Sequence, residues 1–301
     1  MLPFFIWMRY RKLGHSGIEV SELSIGAMSF RADQPKVAHD ILNYGIEQGI
    51  NLIDTADLYE HGENEKLIGE CIKNRRSDLV IATKVGNRWR DDGSGWDWVP
   101  TKDYILKAVD QSLKRLQTDY IDLYQLHGGT IDDPMDEVIE AFEMLIEAGK
   151  IRAYGISSIR PNTIRLFTDI GRPTSIMMQY SLLDRRPEEK MLNYLREQSI
   201  GVLARGVLAK GLLAAKPATP FLKYTESEVS ELQKDMQKQG NIAAIALSFV
   251  LKNSALSSAL VGFSSLNQIK EIMKAYDEVE TLEFPDEIVQ VLPPNYDEKH
   301  R

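Results

Sequence analysis

The 301-residue chain is poor in several things, and each shortage narrows what it can do. Cys71 is the only cysteine, which excludes an intrachain disulfide framework and any metal site built from several thiolates, and fits a reducing, cytoplasmic setting. No run of about 20 apolar residues occurs, so no membrane-spanning helix is expected. The start, MLPFFIWMRYRKLG, sets a short apolar run before its basic residues, the reverse of a secretory signal. Positive charge is also in deficit: 36 Lys and Arg against 44 Asp and Glu leave a net −8 without a basic cluster, so nucleic acid is not an expected partner. The GxGxxG turn of a dinucleotide-binding open sheet and the GxSxG elbow of a serine hydrolase are both missing. No His, Asp and Glu spacing suggests a metal site.

What the chain does have is a recurring unit. Apolar, β-rich runs stand at 23–29, 50–56, 79–85, 120–127, 151–158, 174–180, 200–208 and 258–263. Their apolar character is continuous rather than alternating, as in strands covered on both faces. Between them, stretches such as KVAHDILNYGIEQG, TKDYILKAVDQSLKRLQ and DEVIEAFEMLIEAGK carry helical spacing, the second opening on a Thr cap after Pro100. Eight strand–helix units in about 250 residues predict an α/β fold, a closed (β/α)8 TIM barrel forming a single domain over 1–301. A doubly wound open sheet is the alternative, and it lacks its fingerprint.

Smaller expectations follow. RYRKLGHSGIEVSE reads as an N-terminal β-hairpin around His15, Ser16 and Gly17 that closes the barrel bottom. Residues 1–7 read as a flexible extension or the product of an upstream start codon, since Met8 opens a more ordinary N-terminus. KPATPFLKYTESEVSELQKDMQKQG, between the seventh and eighth strands, reads as a solvated loop and a surface helix. Cys71, inside the helical ENEKLIGECIKN, reads as a core thiol. GNRWRDDGSGWDWVP should overhang the C-terminal face, with Trp89, Trp96 and Trp98 forming a loop core, a substrate-pocket wall, or both.

Chemistry concentrates at strand ends, where α/β barrels keep their active sites. Asp54 and Tyr59 follow the second strand, Lys84 lies in the third and His127 closes the fourth. A tyrosine hydroxyl ordinarily holds its proton to a pH of about 10. A neighbouring ammonium favours the phenolate, so Lys84 beside Tyr59 would make a better proton donor. Asp54 would pair with Lys84, and His127 would donate a hydrogen bond to a substrate oxygen. Such a site polarises a carbonyl and protonates it but has no nucleophile, so it calls for an external hydride and hence a nicotinamide cofactor. Singly, each residue has a plainer use, as a helix cap, a surface aromatic, a salt bridge or a core histidine. Their joint placement at three consecutive strand ends argues for chemistry.

GINLIDTADLYEHGENEKLIGE (49–70), with IATK and YQLH downstream, strongly resembles the aldo-keto reductase superfamily. The resemblance runs from Arg9 to the helix after residue 263 and is greatest to bacterial oxidoreductases related to potassium-channel β subunits. It implies Tyr59 as general acid/base, Lys84 and Asp54 as its tuning pair, and His127 as the group that orients a small-molecule carbonyl. It implies NADPH as cofactor, with NADH open. Gly26, Met28 and Asp54 would line the cofactor groove, and Ser157, Ser158 and Gln179 would hold the carboxamide, Ser158 standing where Asn is common. Arg205 occupies the place of an aromatic residue that stacks on the nicotinamide. Gly206, Val207 and Leu208 would follow the pyrophosphate, and Gly262, Phe263, Ser264, Ser265, Gln268 and Glu271 the adenosine end. Ser264 replaces a cation for the 2′-phosphate, which Lys210 or Lys216 would then supply from the neighbouring loop. The resemblance implies reduction of aldehydes or ketones; the alternative it carries is a cofactor-binding redox sensor or regulatory subunit with slow turnover.

Overall fold

A computed structural model describes residues 8–214, 216–296 and 299; the expected extension over 1–7 lies outside them. The chain opens with β1 (Tyr10–Lys12) and β2 (Glu19–Ser21), an antiparallel hairpin in which Tyr10 faces Ser21 and Lys12 faces Glu19. Then come β3 (Leu23–Gly26), α1 (Pro35–Glu47), β4 (Leu52–Asp54), α2 (Glu63–Ile72), β5 (Val80–Val85), β6 (Asn87–Trp89), β7 (Trp96–Trp98), α3 (Lys102–Leu116), β8 (Ile121–Leu126) and α4 (Met135–Glu147). The second half holds β9 (Ile151–Ser157), α5 (Pro161–Ile170), β10 (Ser175–Gln179), α6 (Met191–Glu197), β11 (Gly201–Arg205), α7 (Glu226–Gln239), α8 (Ile242–Leu251), β12 (Leu256–Gly262), α9 (Leu266–Val279) and α10 (Ile288–Val291).

Strands β3, β4, β5, β8, β9, β10, β11 and β12 close into a parallel barrel, β12 pairing back onto β3. This is the expected (β/α)8 architecture, and each of the eight apolar runs supplies one strand. Local signals set the helix ends. Thr101 caps α3 by accepting from the Tyr104 amide, and Thr225 and Glu228 form a reciprocal capping box on α7. The longest connection contains the expected polar loop and surface helix, and then α8, which is buried from Ala243 to Leu251. A helix apolar on all faces but for Ser248 has no stripe for periodicity to reveal. The tryptophan-rich segment is itself a hairpin rather than an irregular loop, β6 pairing with β7 so that Asn87 faces Trp98 and Trp89 faces Trp96. Cys71 is only half-buried at the edge of the core, where burial raises its thiol to about 11. No helix among the described residues is long and apolar enough to cross a membrane.

Two cores result. One lies between the barrel and its helices; the other fills the barrel interior with Leu52, Val80, Ala82, Leu123, Ala153, Met177, Leu203 and Leu260, joined by Leu13, Ile18 and Val20 of the hairpin. The hairpin therefore plugs the barrel bottom. Gly14 has φ +53°, and a Cβ there would sit 2.2 Å from the Thr174 carbonyl oxygen, so the plug seats only because this position has no side chain. Buried Glu22 ties the hairpin in place, accepting from Arg9 (2.8 Å), Arg11 (2.6 Å) and the Tyr276 hydroxyl (2.9 Å). Leu13 has no exposed surface. Leu13→Ala is expected to lower stability by about 2–5 kcal/mol in urea unfolding, with the slope unchanged; a loss under about 1 kcal/mol would mean that the plug is dispensable.

Candidate active site

Side chains alternate along a strand, so the inward positions of each barrel strand repeat every second residue. Two residues beyond Leu52 stands Asp54, beyond Ala82 Lys84, beyond Met177 Gln179 and beyond Leu203 Arg205. Ser157 lies four beyond Ala153, and His127 four beyond Leu123. One parity thus carries an apolar plug below and polar groups above, at the C-terminal mouth.

At that mouth Lys84 is almost completely buried, and its Nζ donates to Asp54 Oδ2 (2.6 Å) and to the Thr55 carbonyl (2.7 Å). Burial works against the ammonium, but the charges of Asp54 and Tyr59 outweigh it and raise Lys84 above its ordinary value. Lys84 Nζ lies 5.3 Å from the Tyr59 ring centre, and the Tyr59 and His127 rings meet edge-on with centres 5.8 Å apart. Burial, then the charges of Lys84 and Arg205, lower His127 to about 3. It is a neutral imidazole at physiological pH, and its Nδ1 has no hydrogen-bond partner among the described residues. The four predicted catalytic groups therefore converge.

Tyr59 sits on a constrained turn. Glu60 and His61 adopt left-handed φ of 48° and 56°, and Gly62 follows at 87°. Such backbone persists only where neighbours hold it. Trp89 of the hairpin does so, its indole N–H donating to the Leu58 carbonyl (3.1 Å) while its ring stacks on His61 at 3.6 Å. Glu60 accepts from the Ala32 amide on the other side (2.7 Å). Trp98 donates to Asp133 (2.9 Å), and Trp96, 48% exposed, is the tryptophan of the hairpin most open to solvent.

The groove residues occupy neighbouring strand ends. Ser157 pairs in register with Met177, and Gln179 with Arg205. Arg186 donates to Gln179 Oε1 (3.4 Å) while gripping Asp184, which turns the Gln179 amide N–H2 away from it. Gly206, at φ +69°, passes close to Gln179. Ser158 is buried, with its hydroxyl accepting from the Arg160 amide. Arg205 is half-buried; burial lowers its guanidinium, against the opposing charges of Tyr59, Asp184 and Asp54. Val207 is buried, Leu208 half-buried, and Lys210 exposed with its carbonyl accepting from Lys216. Gly26 and Gly262 are register partners, and Met28 is 71% exposed beside them. Phe263 turns its side chain into the core. Ser264 donates through its amide and hydroxyl to Gln268 Oε1 (2.8 and 3.0 Å), Ser265 caps α9, and Glu271 is exposed.

Against this geometry, the sequence profile of the Aldo/keto reductase family matches residues 22–292. The chain belongs to the aldo/keto reductase family. It is 48% identical over 280 residues to the uncharacterized oxidoreductase YqkF of Bacillus subtilis, covering 89% of this chain and 91% of that one. Aldo-keto reductase AKR11C1 from Bacillus halodurans in its holo form superposes with a TM-score of 0.93 at 45% identity, covering 98% of this chain and all of that one. The apo form of the same protein gives 0.82 at 40% identity over the same shares.

Sequence reasoning missed several groups that shape the site: Gln125, Arg186, and Asp57 with its surroundings. Asp57 is buried two residues before Tyr59, and neither of its carboxylate oxygens makes a hydrogen bond among the described residues. Burial, then the charge of Glu65, push it well above the usual carboxylate range. Because the folded value lies above the unfolded one, its contribution to stability is complete below about pH 4 and is lost as pH rises toward the folded value. Asp57→Asn removes that dependence. The variant should gain stability relative to wild type between pH 4 and 8, measured by urea unfolding at stepped pH; a difference independent of pH would refute it.

Proposed function

We propose that the protein reduces aldehydes or ketones to alcohols in the cytoplasm at the expense of NADPH, with NADH as the weaker alternative and Tyr59 as general acid. The observation that carries this reading is the buried Lys84–Asp54 pair beneath Tyr59, with neutral His127 against the same ring. Lys84 stabilises the negative charge that develops on the Tyr59 oxygen as its proton leaves, and Asp54 keeps Lys84 charged in a dry site. A neutral imidazole carries an N–H to orient a carbonyl oxygen without competing for the proton. When bound, the nicotinamide supplies the hydride.

The groove suits that cofactor. The Gln179 amide, freed by Arg186, and the Ser157 hydroxyl would hold the carboxamide, and the Arg205 guanidinium plane would lie against the ring. The backbone of 206–208 and the capped N-terminus of α9 would take the phosphates. Ser264 brings no charge to the adenosine end, so exposed Lys210 and Lys216 would provide the cation. Trp96 and the hairpin wall favour small carbonyl compounds with an apolar or flat part.

The test is fluorescence titration with NADPH and NADH, then cofactor oxidation in the presence of a panel of reactive aldehydes and ketones. The wild type should bind NADPH and turn over. Tyr59→Phe should lose about 10²–10⁴ of kcat while its NADPH affinity stays within about twofold. Tight binding with no turnover by the wild type would instead support a redox-sensing or regulatory subunit.

A further inference from the structure

Gln125 lies on β8, two residues before His127 and on the same inward parity, in register with Lys84 of β5. It is completely buried. Its Nε2 donates to Asp54 Oδ1 (3.3 Å), the carboxylate oxygen that Lys84 leaves unused, while Lys84 holds Oδ2. Its own Oε1 has no partner among the described residues. An unpartnered amide oxygen in a dry interior is destabilising. One step down the same strand face, Leu123 and the plug show what the interior takes for filling. An amide here serves its donor, not its volume.

We infer that Gln125 is a positioning residue that holds the second oxygen of Asp54, keeping that carboxylate ionised and turned so that its other oxygen meets Lys84. A buried carboxylate with a single partner has one oxygen stripped of water, and it recovers by taking up a proton or rotating. Either change removes the anion that keeps Lys84 charged beneath Tyr59. The one side-chain hydrogen bond of Gln125 among the described residues is to Asp54, and it is through Asp54 that it acts. The inference rests on the reductase reading of the site.

The test compares Gln125→Met, which keeps the length and removes the donor, with Gln125→Glu. Both are measured by kcat and KM against pH with NADPH and an aldehyde that the wild type reduces, alongside thermal unfolding and NADPH titration. Gln125→Met should unfold at the wild-type temperature or above, bind NADPH within about twofold, and lose about 10-fold in kcat. Its acid limb should move to higher pH, since Asp54 then takes up a proton more readily. Gln125→Glu should do the reverse, working best at low pH, where the introduced carboxyl is protonated and donates, and failing as it ionises against Asp54. Profiles of wild-type shape and position in both variants would overturn the assignment, as would failure of both to fold, because a positioning role leaves the fold intact. Absence of turnover in the wild type overturns the reductase reading and this inference with it, and is thereby distinguished from a failure of Gln125 alone.

Discussion

An ammonium with almost no exposed surface is the constraint around which this molecule is arranged. Taking Lys84 out of water costs several kcal/mol unless an anion and further acceptors replace its hydration. Asp54 and the Thr55 carbonyl do so. The pair occupies neighbouring strands β4 and β5, whose register places Asp54 beside Ala82, one inward step below Lys84. Tyr59 and His127 then meet over a fixed positive charge in a low-dielectric mouth, where that charge acts more strongly than it would in water.

The plug and the tryptophan hairpin serve this arrangement from opposite ends. Leu13, Ile18 and Val20 close the barrel below and pack with Leu52 and Ala82, the residues one inward step beneath Asp54 and Lys84. Above, Trp89 holds the backbone at Leu58 and stacks on His61, fixing the left-handed turn that carries Tyr59. The hairpin is therefore a clamp on the turn that carries Tyr59. Asp57, buried beside that turn with no hydrogen bond to its carboxylate among the described residues, is a local cost accepted at the site, as strain and unsatisfied groups commonly are.

Much of this was legible in the chain. Each of the eight apolar runs forms a barrel strand, and His15, Ser16 and Gly17 mark the turn of the closing hairpin. Asp54, Tyr59, Lys84 and His127 stand together as their positions at strand ends implied. What escaped notice escaped for physical reasons. Helix α8 is apolar all round except at Ser248, so no period announces it. The pairing of Trp89 with Trp96 is non-local, and Gly93 and Gly95 between them read equally well as an irregular loop. Gln125 and Asp57 matter because of what surrounds them, although the inward parity of Gln125 in YQLH was a signal that could have been followed.

The most direct measurement of the central claim is the pH dependence of kcat for wild type and Asp54→Asn, with NADPH affinity measured in parallel. If Asp54 holds Lys84 charged beneath Tyr59, the variant binds NADPH within a few-fold of wild type and loses about 100-fold or more in kcat across the whole pH range. Turnover within about threefold of wild type at neutral pH would contradict the account, because Lys84 would then act on Tyr59 without its partner.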